Sequence, residues 1–180
     1  TTKSGIESLM KNVRSGMYEY QLEAYYDFEI KKDGNKPVSF KTIAASGINA
    51  TTLHYISNNS LIEQDELILM DVGAEYHNYA ADISRTIPHC GKYTSNQKKY
   101  YEIVLNANKK TIENVKVGMT FKELNEITKQ IIAEDLIKCG LITKIDEVSR
   151  YYYHSVSHPL GLDAHDLRCE TAIIKNGMVL

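Results

Sequence analysis

Cysteine, proline and tryptophan are scarce or missing in this 180-residue sequence, which has three cysteines, three prolines and no tryptophan. The cysteines are odd in number and widely spaced, which argues against both a disulfide framework and a zinc knuckle and favours a reducing, cytoplasmic setting. No apolar run approaches the ~20 residues that a membrane-spanning helix needs. The net charge of −2 argues against a general binder of nucleic acids or membrane surfaces.

The length suits one sizeable core, so we expect a single domain over residues 1–180. Apolar periodicity and capping signals predict helices over 7–13, 19–32, 94–115 and 120–138. Strands are predicted over 37–43, 51–55, 67–76, 79–87, 151–158 and 171–174. A mixture of helices and strands without repeated βαβ units predicts an α+β fold.

Two aspartates stand eleven residues apart in the predicted hairpin of strands 67–76 and 79–87. This hairpin is the most informative stretch of the sequence. Asparagine tolerates the left-handed backbone of a two-residue hairpin loop, so His77-Asn78 is the expected turn. The numbers of paired residues then sum to 155, which places Gly73 opposite Asp82. Asp71 shares the face of Gly73, and the two aspartates become diagonal neighbours roughly 5–8 Å apart.

Two carboxylates that face each other beside apolar strands are costly without a cation or a shared proton. One interpretation of the hairpin is therefore a metal site. The other is a solvated face that carries two unrelated acids, and the hairpin alone leaves both open.

Three histidines cluster near the end of the chain, at His154, His158 and His165. A helical zinc site is disfavoured because no Glu follows His154 and Pro159 moves its neighbour away from helical geometry. In an extended segment His154 and His158 lie roughly 13 Å apart, so one would be a ligand and the other would line a pocket. All three could also be ordinary polar residues. His54 is a further candidate.

Residues 13–17 resemble residues 115–119 at an offset of 102, and Leu22 matches Leu124 at the same offset. A repeat on this scale predicts two related halves about a pseudo-twofold axis.

Taken together, these segments resemble the catalytic domain of the pita-bread metallopeptidases, and within them the Xaa-Pro aminopeptidases (aminopeptidase P) and prolidases. The resemblance implies an α+β pita-bread fold, with a curved antiparallel sheet covered by helices and pseudo-twofold halves. Spacing and order agree over nearly the whole chain. The matching segments are 53–55, 71–76, 79–86, 88–92, 97–105, 154–166 and 177–180.

The same resemblance implies a site that holds two divalent metal ions, commonly manganese and sometimes cobalt or zinc. The implied metal ligands are Asp71, Asp82 and His158. The implied catalytic and substrate-binding residues are His54, His154 and His165, with His165 stabilising the tetrahedral intermediate. Two aspartates and one histidine offer at most five donor atoms, and the family supplies two further glutamate ligands C-terminal to this segment. We therefore expect the chain to be truncated at both ends and inactive by itself.

The implied reaction is hydrolysis of an N-terminal Xaa-Pro peptide bond by a metal-bound hydroxide in a dinuclear site. The substrate would be a peptide with proline at its second position. Alternatives are a prolidase-type dipeptidase, a metal-free pita-bread interaction module, a metal-free enzyme such as creatinase, and a mononuclear iron site. Nucleic-acid and membrane partners are not expected, and the oligomeric state stays open.

Overall fold

The computed structural model describes residues 1–32, 34, 37–169 and 171–180. The helices are α1 (Thr2–Asn12), α2 (Glu19–Lys31), α3 (Ser95–Asn114) and α4 (Phe121–Lys138), and the strands are β1 (Ile43–Ser46), β2 (Leu67–Val72) and β3 (Ile83–Pro88). Short 3₁₀ helices cover Gly47–Thr51 and Ile145–Arg150. Within the described part of the chain, no helix is both long enough and apolar enough to cross a membrane.

Backbone contacts divide the chain into two compact units, the first formed by Thr1–Gln97 with Leu160–Asp166 and the second by Lys98–Pro159 with Leu167–Leu180. The first unit holds an antiparallel sheet in the order β1-β2-β3. Burial alternates along β2, because successive side chains of a strand point to opposite faces. The buried face packs against α1 and α2, in a core that includes Leu9, Leu22, Tyr26, Ile68, Met70 and Val72.

The register predicted for the hairpin is confirmed. The β2–β3 pairs run from Leu67 with Pro88 to Val72 with Ile83, so that every pair sums to 155. An isolated bridge joins the residues on either side of the turn, and His77 and Asn78 have φ angles of 51° and 66°. Positive φ at both central residues is the signature of the type I′ turn, whose twist matches the strands that it joins.

In the second unit, a capping box starts α4 as predicted. The Thr120 side chain accepts a hydrogen bond from Glu123 N (3.1 Å), and the Glu123 carboxylate accepts one from Thr120 N (2.7 Å). This exchange satisfies two backbone donors that the first turn of a helix leaves without partners. The core of the unit forms two clusters, one around Ala133, Leu136 and Tyr152 and one around Phe121, Leu124 and Ile174.

The internal repeat is visible in the hydrogen bonds of each unit. Gly16 N donates to Ile62 O (2.9 Å) in the first unit, and Gly118 N donates to Ile174 O (2.8 Å) in the second. A return bond of 2.7 Å in both units runs from the isoleucine N–H to the carbonyl of the methionine that follows the glycine. The two glycines have φ angles of 83° and 93°. The repeat is thus a repeated local structure as well as a repeated sequence.

Several predicted strands are wrong. Residues 51–55 and 151–158 form no strand, and the sheet uses Ile43–Ser46 rather than most of 37–43. Both failed segments contain a residue with left-handed backbone, His54 (φ 55°) and Ser157 (φ 61°), which interrupts an extended run. Residues 171–174 contribute only an isolated bridge, between Ile173 and Thr120.

Candidate metal centre and active site

A cavity of about 400 Å³ lies within the first unit. Its polar lining contains four of the residues singled out from the sequence, namely His54, Asp71, Asp82 and His165. Lys41 and Asp163 add charged groups, and Phe40, Ile43 and Ile56 form apolar parts of the wall. Carboxylates, imidazoles and apolar side chains converge on one concave surface, as in many ligand sites.

Asp71 is placed by the alternation of β2. It lies on the half-buried face of the strand, opposite the face that packs against the helices. Ser84 is its partner on β3, and the Ser84 hydroxyl donates a hydrogen bond of 2.7 Å to Asp71 Oδ1. This contact was not predicted from the sequence, although residue pairs that sum to 155 place Ser84 opposite Asp71. No ion pair to Asp71 occurs among the residues that the structure describes.

Asp82 stands immediately before β3, where the hairpin backbones come close together. A Cβ atom at Gly73 would overlap the carbonyl oxygen of Ala81 and lie 3.0 Å from the Phe40 ring. Glycine is therefore required here because another backbone passes over it, a stronger reason than an open gap between Asp71 and Asp82. Both aspartates flank this close contact and line the same cavity.

His165 reaches the cavity on the returning segment Leu160–Asp166. The segment is attached to the hairpin by a hydrogen bond from Ala80 N to Gly161 O (2.8 Å). A ring nitrogen of His165 and a carboxylate oxygen of Asp82 lie within 4.8 Å of one another. The rings of His165 and His54 are 6.1 Å apart between centroids.

The other two histidines belong to the second unit. His154 contributes to a separate cavity beside Tyr152, with ring centroids 4.6 Å apart in an edge-to-face arrangement. Burial raises the pKa of Tyr152 to about 12, and its hydroxyl donates to Asn125 Oδ1 (3.1 Å). His158 is half-buried, with Nδ1 3.0 Å from the carbonyl oxygen of Pro159. The roles expected for both residues stay predictions.

The donors in the first-unit cavity fit a divalent cation. Asp71 and Asp82 provide hard carboxylate oxygens, and His165 provides a borderline nitrogen near one of them. Carboxylate oxygens suit manganese and magnesium, while imidazole suits zinc and other transition metals. The isolated cysteines take no part, since none of the three lines the cavity.

Comparison with known proteins places the whole chain in a family of metallopeptidases. The model of metallopeptidase family M24 matches residues 1–180. Xaa-Pro aminopeptidase 3 of Dictyostelium discoideum is 40% identical over 154 residues, or 84% of this chain and 30% of the relative. Xaa-Pro dipeptidase of Pyrococcus horikoshii is 32% identical over 179 residues, or 97% of this chain and 48% of the relative.

Solved structures agree on the fold. A Bacillus anthracis protein provisionally described as an aminopeptidase P superposes with a TM-score of 0.96 at 47% identity, covering 98% of this chain and 42% of that one. An Escherichia coli aminopeptidase P variant in complex with substrate gives a TM-score of 0.90 at 33% identity, covering 98% and 43%. The predicted pita-bread fold is thereby confirmed. Although it spans less than half of each of these relatives, the chain belongs to metallopeptidase family M24.

Proposed function

We propose that this chain is part of the catalytic domain of an Xaa-Pro aminopeptidase that works with two divalent metal ions. The observation that carries the proposal is the convergence of Asp71, Asp82, His54 and His165 on one cavity of the first unit. The names of the relatives, Xaa-Pro aminopeptidases and dipeptidases, support a peptide substrate with proline at its second position.

Residue spacing supports the roles proposed for individual side chains. The solved Escherichia coli aminopeptidase P structures include alanine variants of two aspartates eleven positions apart, of two histidines eleven positions apart, and of a histidine seventeen positions before the first aspartate. The same intervals separate Asp71 from Asp82, His154 from His165, and His54 from Asp71. We therefore keep Asp71 and Asp82 as metal ligands and the three histidines as substrate-binding and catalytic residues.

Asp71, Asp82 and His158 would hold the ions, for which we expect manganese because the proposed set is rich in carboxylate oxygen. When bound, divalent ions supply an activated water as nucleophile and polarise the scissile carbonyl. The Ser84 hydroxyl orients Asp71 through Oδ1, as outer-shell partners of metal ligands generally do. His54 and His165 would donate hydrogen bonds to the oxygen that becomes negative as the peptide carbonyl is attacked. A protonated imidazole would then supply the proton that the leaving proline nitrogen needs.

The first experiment measures metal content and peptide cleavage in the native-length protein and in its Asp82→Ala variant. The proposed ligand carries negative charge into the cavity, so the variant should lose manganese uptake and release of the N-terminal residue from an Xaa-Pro peptide. Asp146→Ala is the matched control, because Asp146 is exposed in the second unit and does not line the cavity. Full turnover by Asp82→Ala would refute the ligand assignment.

A prolidase-type dipeptidase is the second candidate, because one relative is named Xaa-Pro dipeptidase. Substrate length separates the two functions. Cleavage of Xaa-Pro dipeptides with no cleavage of longer Xaa-Pro peptides would favour the dipeptidase. A folded protein that takes up no manganese and cleaves neither substrate would support the metal-free interaction module.

A single domain and a cytoplasmic location remain predictions, and one relative, intermediate cleaving peptidase 55 of Arabidopsis thaliana, is named as mitochondrial.

A further inference from the structure

Glu19, the first residue of α2, is a completely buried carboxylate that accepts five hydrogen bonds. Its Oε1 accepts from Ser46 N (2.7 Å), Ser46 Oγ (2.9 Å) and Asn49 Nδ2 (3.1 Å). Its Oε2 accepts from Tyr55 OH (2.8 Å) and Ser60 N (3.0 Å). All five donors come from residues 46–60, which comprise the last residue of β1 and the loop that follows it.

An ionised carboxylate in this place is stabilised by its donors rather than by a cation. Burial by itself raises the pKa of Glu19, but the hydrogen bonds from Ser46, Ser60, Asn49 and Tyr55 outweigh it and hold the pKa below its ordinary value of 4.5. A carboxylate that accepts several backbone N–H groups favours its charged form. Removing the charge would leave several buried donors without an acceptor. A buried donor that lacks an acceptor costs more free energy than a complete hydrogen bond contributes.

The internal repeat shows that the fold does not need a charge at this place in the helix. Position 121 of the second unit corresponds to position 19 at the offset of 102, and it holds a buried phenylalanine that also starts its helix. An apolar residue therefore serves the same helix start in the other half. Buried charges are often replaceable by apolar groups without loss of stability, so their presence calls for a further reason.

That reason lies in what the loop carries. Tyr55, whose hydroxyl reaches Glu19 Oε2, is the neighbour of His54, and His54 adopts a left-handed backbone with φ 55°. After Ser46 the loop makes one 3₁₀ turn and no strand, and the N–H group of Ser60 donates to the Glu19 side chain rather than to a neighbouring strand. The His54 ring nevertheless lines the cavity that contains the aspartates.

We propose that Glu19 is a positioning residue: its buried carboxylate holds the 46–60 loop in the conformation that presents His54 to the substrate cavity. The role assigned to His54 rests on the proposed peptidase function. The control of the loop conformation does not, because it follows from the five hydrogen bonds alone. The two parts can therefore be tested separately in the native-length protein.

The test uses Glu19→Gln, which keeps the shape and removes the charge. Each carboxylate oxygen of Glu19 accepts at least two hydrogen bonds. The NH₂ group of glutamine, in either position, would therefore face hydrogen-bond donors and could accept none of their bonds. Hydrogen exchange at the amides of Ser46 and Ser60 should accelerate by about 10-fold or more, while the β2–β3 amides keep their protection. Tyr55→Phe removes one donor only and gives a milder variant that should fold. Glu7→Gln makes the same charge change on the exposed side of α1 and should alter neither region.

Activity supplies the second arm. Glu19→Gln should lower kcat/KM for an Xaa-Pro peptide on the order of 10- to 100-fold, the size expected when a functional group is displaced by about 1 Å. If Glu19 acts through His54, adding Glu19→Gln to His54→Ala should cost little more than His54→Ala alone, whereas independent effects would multiply. Manganese content should stay at the wild-type level in every variant.

Three results would overturn the inference. They are unchanged loop exchange in Glu19→Gln, a loosened loop with unchanged kcat/KM, and full multiplication of the two effects in the double variant. A wild-type protein without Xaa-Pro hydrolysis would instead refute the proposed function. The exchange arm would still decide whether Glu19 holds the loop.

Discussion

Gly73→Ala is the substitution that tests most directly how the hairpin holds its two aspartates. The new Cβ would overlap the carbonyl oxygen of Ala81, which belongs to the backbone and cannot rotate away, and would approach the Phe40 ring to 3.0 Å. The hairpin must open to relieve the overlap. Overpacking of this kind costs about 1–3 kcal/mol of unfolding free energy. For a domain of this size, Tm should fall by about 2–4 °C for each kcal/mol.

The same opening should displace Asp82 relative to Asp71, because the close contact lies between them. We expect manganese affinity to fall on the order of 10-fold or more, the size observed when groups that orient a metal ligand are altered. The assay is thermal unfolding followed by circular dichroism, together with a manganese titration of the native-length protein.

Gly91→Ala provides a matched control. Gly91 has a φ of 73°, and a Cβ added there would meet no atom within 4 Å, so alanine costs about 1 kcal/mol through backbone conformation alone. It should lower Tm modestly and leave manganese affinity intact. If Gly73→Ala bound manganese as tightly as Gly91→Ala and lost no more stability, the close contact would not be what spaces the aspartates.

Two further predictions concern buried polar groups. Asn58 is buried, accepts from Ala44 N (3.0 Å) and donates to Thr42 O (2.8 Å), so Asn58→Ala should cost about 2–4 kcal/mol in urea unfolding, while Asn59→Ala, at an exposed neighbour, should cost far less. The lowered pKa of Glu19 means that its ionised form stabilises the fold above pH 4.5 and that this stabilisation is lost as pH falls through the folded-state pKa. As the pH falls from about 6 to about 3, the unfolding free energies of wild type and Glu19→Gln should therefore approach each other. A difference that stays constant over this range would contradict the prediction.

Local signals predicted the hairpin register and, to within one residue, the starts of α2, α3 and α4, because neighbouring residues decide them, whereas α1 begins at Thr2 rather than at residue 7. A turn with left-handed residues at His77 and Asn78 sets the register of both strands, so every pair follows from one loop. Thr120 and Glu123 satisfy each other's backbone donors within one turn, and the start of α4 follows from four residues.

The strands predicted over 51–55 and 151–158 do not form, and for 51–55 the reason is a contact between residues that are far apart in the sequence. Their residues favour extended structure, but the first segment lies in a loop held by a carboxylate from a distant helix. Glu19 accepts hydrogen bonds from Tyr55, 36 positions away in the sequence, and from Ser60, 41 positions away. A charged residue at the position where the repeat holds Phe121 was the one sign of this in the sequence.

The sequence by itself determined the family, the α+β class, the hairpin register and the two aspartates that share a face, since these depend on local periodicity, turn chemistry and a specific order of motifs. Only the tertiary structure decided that His165 returns to within 4.8 Å of Asp82 and that His54 lines the same cavity. It also decided that Gly73 is required by a passing backbone and that Glu19 organises a loop. Each of these depends on contacts between distant parts of the chain, where burial makes one hydrogen bond or one missing Cβ decisive, and no local pattern records them.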